Sequence, residues 1–302
     1  MVTVITGSTG FVGKNLIPYL QDSSINYVPL TRDELRSAAF SKVGQSDSIV
    51  HLAGKAHDLK SVSQPNEYYA INFDLTKDLY DAFLKSNAKK FIFVSSVKAS
   101  ADRVEGALVE SYVPDPQTHY GKSKLLAEEY ILNQPLPDGK SFFILRPCMI
   151  HGPGNKGNLN LLYKLISKGI PYPLAAFENK RSFLSVENLC FVIRELLERD
   201  DIPSGIYNVA DDEVLSTNAL IKLIAKASDR SPKLWKINPG LIRSLAKLGD
   251  LLKLPLTTER LNKLTENYIV NNTKIRRALG KEFPVLAEDG IIKTISSFQN
   301  PK

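Results

Sequence analysis

The chain has 302 residues, is 43% hydrophobic and 24% charged, and carries a formal net charge of +7, values typical of a soluble globular protein with one large domain or two small ones. Its two cysteines, Cys148 and Cys190, argue against a disulfide framework and fit a reducing compartment. No run approaches the roughly 18 apolar residues of a membrane span, and Met1 directly precedes an apolar strand-like run, so we expect a cytoplasmic protein without a signal peptide.

Apolar runs of strand length alternate with periodic segments of helix length. The predicted strands are residues 2–6, 27–30, 48–52, 90–95, 141–145 and 205–209. The predicted helices are residues 14–20, 67–86, 123–132, 186–197, 218–228, 241–254 and 257–267. Strands that alternate with helices predict a parallel sheet covered by helices on both faces.

The first predicted strand runs directly into a turn with the spacing Gly7, Gly10, Gly13. A strand, a glycine turn and a helix start form a site for a dinucleotide pyrophosphate, because free backbone N–H groups and the helix dipole meet the anion there. The alternative is a tight strand–helix turn without a ligand. The positions of this turn that we expect at the cofactor are Gly7, Thr9, Gly10, Phe11 and Val12.

The strand–helix alternation and the glycine turn together predict an α/β fold with a Rossmann-type doubly wound parallel sheet and a smaller, mainly helical substrate lobe. We place the dinucleotide-binding domain at residues 1–165, with 183–200 returning to it. The substrate-binding lobe is expected at 166–182 and 201–302.

Cofactor choice depends on the end of the second strand, where NAD sites place a carboxylate and NADP sites a cation for the 2′-phosphate. Arg32 stands there and favours NADP(H). NAD(H) remains the alternative, with Asp33 on the ribose hydroxyls.

The third strand ends in His51 and the small residues that follow it. We interpret His51 as a packed strand residue and expect Leu52, Ala53 and Gly54 to let the backbone pass close to the adenosine half of the cofactor.

A hydroxyl, a phenol and an ammonium group form the candidate catalytic set of Ser96, Tyr120 and Lys124. Tyr120 and Lys124 are four residues apart and share a helix face. A free tyrosine has a pKa of about 10. A nearby ammonium and the positive nicotinamide ring both favour the phenolate, so the phenol can act as acid or base near neutral pH. The alternative makes Tyr120 a core residue and Lys124 a surface charge.

The chain resembles the extended short-chain dehydrogenases/reductases, specifically their nucleotide-sugar epimerase/dehydratase group. The resemblance covers nearly the whole chain and rests on these motifs in the family's order: Gly7-x-x-Gly10-x-x-Gly13, His51-Leu52-Ala53-Gly54, Ser95-Ser96, Tyr120-x-x-x-Lys124, Arg146-Pro147, His151-Gly152-Pro153-Gly154 and Arg181-Ser182-Phe183-Leu184-Ser185-Val186-Glu187. It implies that Ser96, Tyr120 and Lys124 are catalytic and that Tyr120, Lys124 and Pro147 also contact the cofactor. It further implies that Arg181 grips the diphosphate of a UDP- or dTDP-sugar.

A narrower resemblance lies in residues 152–159 and 174–182, which look like bacterial reductases of UDP-4-keto-6-deoxy-N-acetylhexosamines in surface-polysaccharide synthesis. It implies a substrate site lined by Ser96, Asn158 and Arg181. The run Ala99-Ser100-Ala101 departs from the family's Val-Tyr-Gly, which indicates an unusual loop at the sugar pocket.

Three functions follow from this pattern: an NADPH-dependent 4-keto reductase, a C4 epimerase with retained NAD, and a dinucleotide-sensing module. The intact Tyr120 and Lys124 pair argues against the sensor. Ser96 is followed by Val97 and Lys98, so the carboxylate pair of the family's dehydratases is missing. The family often pairs through the helix of Tyr120, which makes a homodimer possible. No metal site is predicted.

Positive charge is concentrated in residues 231–281, which hold eleven Lys and Arg against three acidic residues, a net charge of +8. Such a segment could attract an anionic substrate, a membrane surface or nucleic acid, or could be a solvated helical surface. The segment lacks interleaved aromatic residues and nucleic-acid motifs, so we expect no nucleic-acid partner.

Overall fold

The computed structural model describes residues 1–21, 23, 25–55, 64–155, 157–254 and 256–299. Within these ranges the strands are Val2–Thr6 (β1), Asn26–Leu30 (β2), Ser48–His51 (β3), Lys90–Val94 (β4), Ala107–Leu108 (β5), Ser141–Pro147 (β6), Met149–His151 (β7), Arg181–Ser185 (β8), Gly205–Val209 (β9), Val214–Leu215 (β10) and Ile269–Val270 (β11).

The helices of the same ranges are Phe11–Gln21 (α1), Arg32–Arg36 (α2), Pro65–Tyr69 (α3), Leu75–Lys85 (α4), His119–Asn133 (α5), Asn158–Ser167 (α6), Val186–Glu198 (α7), Thr217–Ala227 (α8), Pro239–Leu252 (α9), Thr258–Thr265 (α10), Thr273–Leu279 (α11) and Ala287–Gln299 (α12). A π-helical turn, Ala70–Asp74, joins α3 to α4.

A six-stranded sheet with the order β2-β1-β3-β4-β6-β9 forms the centre of the molecule, and every neighbouring pair in it is parallel. Its inner strands are buried on both faces, which explains why they read as continuous apolar runs. Helices α1 and α7 pack on one face through residues such as Leu16 and Leu189, and α4 and α5 pack on the other through Phe83 and Ala127. The predicted doubly wound fold is confirmed.

A second apolar core lies beside the sheet and unites α6, α8, α9 and α12. Its most buried members include Ile221, Ile224, Ile242, Ile291 and Ile295. A three-stranded sheet of the order β10-β8-β7 borders this second lobe. Among the described residues, no helix has both the length and the apolar character needed to cross a bilayer.

The structure departs from the predicted domain boundaries at two places. Strand β9, which we assigned to the substrate lobe from residue 201 onward, is hydrogen-bonded to β6 in the central sheet. Helix α6 was assigned to the dinucleotide domain that ends at residue 165, but Leu159 and Ile166 lie in the second core. The reason is that the chain crosses between the lobes more than once, which a linear boundary does not capture. The assignment of a binding role to each lobe stays a prediction.

Candidate active site

The predicted motifs meet at one edge of the central sheet. Thr6 is in register with His51, and His51 with Phe93, so β1, β3 and β4 end at the same level. Strand β6 ends at Pro147, beside β4 on one side and β9 on the other. Because the strands are parallel, the segments after their carboxyl ends form one crevice, where ligands of such sheets bind.

The glycine turn brings the start of α1 against the end of β1. Gly7 has φ +67°, and the N–H of Gly10 donates to Gly7 O at 2.9 Å. A Cβ at Gly13 would lie 2.5 Å from both Gly7 O and Ser8 O, so only glycine allows this close approach. The first N–H groups of α1 have no acceptor within the helix and point out of its N-terminus. This arrangement fits a dinucleotide pyrophosphate.

The backbone of residues 53–54 passes through a narrow space between the glycine turn and α5. A Cβ at Gly7 would lie 2.7 Å from Ala53 N. A Cβ at Gly54 would lie 3.0 Å from Asn72 Oδ1 and 3.1 Å from Lys124 Nζ. A side chain at residue 54 would therefore crowd the Asn72 amide and the Lys124 ammonium, so glycine allows the segment after β3 to pass close to both.

Below this crevice, His51 is fully buried in a chain of hydrogen bonds that fixes its protons. Thr76 donates its hydroxyl proton to Asn72 O at 2.8 Å and therefore accepts from His51 Nε2–H at 2.9 Å. His51 Nδ1 then accepts the Thr6 hydroxyl proton at 2.7 Å, and Thr6 Oγ1 accepts from Ala53 N–H at 3.0 Å. Burial lowers the pKa of His51 to about 3, so the imidazole is neutral. It acts as a packed structural residue, as predicted.

Asn72, in the π-helical turn, fastens the segment after β3 to α5. Its Oδ1 accepts from Lys55 N–H at 2.7 Å, and its Nδ2 donates to Lys55 O at 3.1 Å and to Ser123 Oγ at 3.0 Å. Ser123 donates in turn to Tyr120 O at 2.8 Å. Asn72 and Ser123 thereby link the backbone of Tyr120 in α5 to the backbone of Lys55, in the segment after β3.

Ser96, Tyr120 and Lys124 lie together at the end of β4. The Tyr120 phenol and the Ser96 hydroxyl are hydrogen-bonded, and Ser96 Oγ also accepts from Lys98 N–H at 3.2 Å. Lys124 is 4% exposed and donates to Val94 O at 3.1 Å. The predicted triad is thus brought into one cluster, although its catalytic role stays a prediction.

Burial is the main influence on the Tyr120 phenol. It raises the pKa of Tyr120 above its usual value, and the hydrogen bond with Ser96 opposes that rise only in part. We expected Lys124 and the nicotinamide ring together to favour the phenolate. Lys124 does not offset the burial, and the effect of the ring stays a prediction.

A buried ion pair beneath Lys124 was not identified from the sequence. Glu128 is fully buried and accepts from Arg146 Nε at 3.1 and 3.0 Å and from Arg146 Nη2 at 2.5 Å, and the Ser95 hydroxyl also donates to it. Burial lowers the pKa of Lys124 to about 8, and the charge of Glu128 opposes this fall. The spacing of Glu128 four residues after Lys124 on one helix was the available signal.

Arg32 is exposed at the first position of α2, after the N-cap Thr31. Strand β2 ends at Leu30, which is in register with Thr6, so Arg32 lies at the same edge as the glycine turn. This position agrees with a contact to the adenosine ribose or its 2′-phosphate. Asp33 is exposed beside it, so the geometry leaves the choice between NADP and NAD open.

On the substrate side, Arg181 is largely occupied by the protein itself. Its Nε donates to Glu266 O at 3.3 Å, its Nη2 donates to Lys263 O, and its guanidinium lies 3.8 Å from the Glu266 carboxylate. The side chain is 19% exposed, which leaves part of it accessible. Asn158 is the first residue of α6. The substrate contacts of both residues stay predictions.

Lys98 occupies the position where we noted the missing dehydratase carboxylates. Its Nζ donates to Asp102 O at 2.9 Å and lies 4.3 Å above the ring of Tyr268. In the part of the chain that the structure describes, no group of three His, Cys, Asp or Glu side chains could hold a metal ion.

Three curated relatives are similar to this chain. UDP-glucose 4-epimerase of Vibrio cholerae is 28% identical over 98% of this chain and 94% of its own. N-acetyl-alpha-D-glucosaminyl-diphospho-ditrans,octacis-undecaprenol 4-epimerase of Escherichia coli O157:H7 is 28% identical over 75% of this chain and 72% of its own. GDP-6-deoxy-D-mannose reductase of Pseudomonas aeruginosa is 26% identical over 73% and 78%, respectively.

Solved structures share the fold along the whole chain. MoeE5 in complex with UDP-glucuronic acid and NAD superimposes with a TM-score of 0.78 at 18% identity and covers 100% of both chains. RMD from Pseudomonas aeruginosa complexed with NADPH gives a TM-score of 0.76 at 20% identity and covers 99% of this chain and 100% of its own. The NAD dependent epimerase/dehydratase family model matches residues 3–210, which is more than half of the chain. The chain therefore belongs to the NAD dependent epimerase/dehydratase family.

Proposed function

We propose that this protein is a nucleotide-sugar reductase. It reduces the 4-keto group of a UDP-linked 6-deoxy-N-acetylhexosulose with NADPH, in the synthesis of surface-polysaccharide sugars. Three features support the proposal: the Ser96, Tyr120 and Lys124 cluster, the cation Arg32 at the end of β2, and the narrower resemblance around Asn158 and Arg181. A relative named as a GDP-6-deoxy-D-mannose reductase indicates that reduction occurs in similar chains.

Each residue of the cluster has a role that its contacts allow. When bound, NADPH supplies the hydride for C4. Tyr120 donates its phenolic proton to the 4-oxygen, and Ser96 hydrogen-bonds the same oxygen and keeps it beside the phenol. Lys124 holds the ribose hydroxyls from below and stabilises the phenolate that remains after proton transfer. Arg32 binds the 2′-phosphate.

The hydrogen-bonded pair of Ser96 and Tyr120, together with the buried Lys124, is the observation that carries the proposal. It places a proton donor and a second hydroxyl where one sugar oxygen can contact both. A reductase receives a ketone and must protonate its oxygen as the hydride arrives. The cation Arg32 favours NADPH, and a reductase needs an exchangeable cofactor, whereas an epimerase returns the hydride to the same sugar and keeps its cofactor.

An NAD-dependent C4 epimerase is the alternative, and the V. cholerae relative favours it because that similarity extends over 98% of this chain. The undecaprenol-linked substrate named for the E. coli relative adds a lipid-linked sugar diphosphate to the candidate substrates.

Two measurements decide between reductase and epimerase. The absorbance of the purified protein tells whether a nicotinamide is retained, as the epimerase requires, or absent, as an exchangeable cofactor requires. The protein is then incubated with NADPH and the UDP-linked 4-keto sugar, and the nicotinamide band is followed, with the GDP-linked 4-keto sugar as a comparison. Stoichiometric NADPH loss with a 4-hydroxy product from the UDP-linked substrate supports the proposal. No oxidation, together with interconversion of UDP-N-acetylglucosamine and UDP-N-acetylgalactosamine, refutes it in favour of the epimerase.

A further inference from the structure

Six leucines on and directly after α9 are exposed to solvent. We call them the leucine surface: Leu241 (56% exposed), Leu245 (46%), Leu248 (45%), Leu251 (77%), Leu252 (57%) and Leu254 (46%). Single exposed apolar residues are common, but a contiguous group of this size marks an interaction site.

The leucine surface is distinct from the side of α9 that packs on the second lobe. The buried residues of the helix are Ile242, Ala246 and Gly249. A Cβ at Gly249 would lie 1.8 Å from Leu256 O, so the inner side of α9 is in close backbone contact. An adjoining, exposed side of the helix repeats leucine at positions 241, 245, 248 and 252, the spacing of a stripe along a helix. This stripe is therefore available to a partner outside the described chain.

Cations accompany these leucines. Residues 233–254 contain five basic residues and one acid, Asp250, whose carboxylate accepts from Thr258 N–H at 3.0 Å. The basic residues of this stretch are Lys233, Lys236, Arg243, Lys247 and Lys253. Residues 233–254 therefore carry a net charge of +4, five basic groups less one acid, against +7 for the whole chain. More than half of the net positive charge thus lies in the stretch that contains the leucine surface.

This combination of apolar and basic groups matches one kind of partner. A second copy would bring like charges together at the contact, which is unfavourable. An anionic lipid headgroup layer attracts the lysines and accepts the leucines into the acyl boundary. Trp235, three residues before the N-cap Asn238, is 56% exposed, and tryptophan favours the membrane–water interface.

We propose that α9 lies in the surface of an anionic lipid bilayer and docks the protein there. Its 14 residues span about 21 Å, enough to lie along the headgroup region with the leucine surface inward. Docking goes beyond the proposed reaction and does not depend on it, because the leucine surface belongs to the second lobe and includes none of the candidate catalytic residues.

The test is co-sedimentation of the whole protein with vesicles of phosphatidylglycerol and phosphatidylcholine, compared with phosphatidylcholine alone. The wild type is expected to bind the anionic vesicles, and high salt should weaken binding. The double substitution Leu245→Gln, Leu251→Gln should weaken it at least tenfold. A matched control, Leu161→Gln with Leu286→Gln, changes leucines that are 62% and 64% exposed elsewhere and should bind like the wild type.

A second variant tests the electrostatic part without touching the apolar one. Lys247→Gln with Lys253→Gln should weaken binding to anionic vesicles roughly tenfold or more. Failure of the wild type to bind, or equal binding by the wild type and the Leu245/Leu251 variant, overturns the proposal. A wild-type dimer that this leucine variant dissociates in sedimentation analysis also overturns it, because a second copy then covers the surface.

Discussion

Replacing Lys124 by methionine should make the folded protein more stable at neutral pH, while the proposed catalytic ammonium is lost. Lys124 is 4% exposed, and burial lowers its pKa from the usual 10.5 to about 8. Keeping this ammonium charged therefore destabilises the folded state at every pH at which the same lysine is also protonated in the unfolded chain. Methionine has a similar length and carries no charge.

The size of the effect follows from the two pKa values. The difference between 10.5 and about 8 corresponds to about 3 kcal/mol at about 1.4 kcal/mol per pKa unit. Methionine loses the hydrogen bond to Val94 O, which contributes about 1 kcal/mol. Lys124→Met should therefore raise the free energy of unfolding by about 2 kcal/mol at pH 7.

The sign of the pH dependence is equally specific. The folded pKa of Lys124 lies below the unfolded one, so the cost is complete below pH 8 and disappears as the pH rises towards 10.5. The advantage of Lys124→Met should consequently shrink by about 1.4 kcal/mol per pH unit across that window. Above it, the variant should be slightly less stable than the wild type.

Urea denaturation of both proteins at several pH values from 7 to about 10 measures this difference, and other titrating groups cancel because both proteins contain them. Lys122→Met is the matched control. It removes an exposed lysine from the same helix and so measures the effect of losing a lysine that is not buried. A stability difference that does not change with pH would refute the argument. So would a Lys124→Met variant that is less stable than the wild type at pH 7.

Three further predictions concern the site. Tyr120→Phe keeps the packing against Tyr68 but removes the transferable proton. Turnover should therefore fall by about 10²–10⁴-fold, with NADPH affinity nearly unchanged. If more than about a tenth of the activity remains, Tyr120 is not the acid. Arg32→Ala should weaken NADPH binding by roughly 1.5–3 kcal/mol and NADH binding much less, as measured by fluorescence titration, whereas equal losses would remove the argument for NADP. Arg181→Ala should raise the substrate KM and lower the affinity for UDP, while the affinity for NADPH stays unchanged. If UDP titration finds equal affinities for the wild type and the variant, Arg181 serves only to bind the carbonyls of Lys263 and Glu266.

The sequence predicted the central sheet well because its strands are buried on both faces. The six predicted strands agree with β1, β2, β3, β4, β6 and β9 to within one or two residues at either end. Glycine spacing and the Tyr120–Lys124 interval predicted motifs that the structure brings to one edge of the sheet, since both patterns depend on local backbone geometry. These patterns involve residues that are close together in the sequence, so they can be recognised without knowledge of the tertiary fold.

Features that depend on tertiary contacts were missed. The Glu128 and Arg146 ion pair joins residues 18 positions apart, and nothing near either residue reveals its partner. Helix α6 follows a stretch rich in glycine and proline and was not predicted, although Leu159 and Ile166 are buried by α8 and α12. The protonation of Tyr120 depends on how deeply the phenol is buried, which spacing does not report.

The π-helical turn Ala70–Asp74 has a consequence for the alignment of the two helices it joins. A π turn inserts one extra residue, which shifts everything after it by about 100° around the helix axis relative to a regular α-helix. Upstream, Tyr68 faces the Tyr120 ring at 6.3 Å; downstream, Leu79 and Phe83 face the sheet. A regular α-helix of the same length would turn Tyr68 by about 100° relative to Leu79 and Phe83, so it could not make the aromatic contact at the site and the apolar contact beneath the sheet together. Deleting one residue from this turn, by contrast, would restore a regular helix with the same alignment and should keep both contacts.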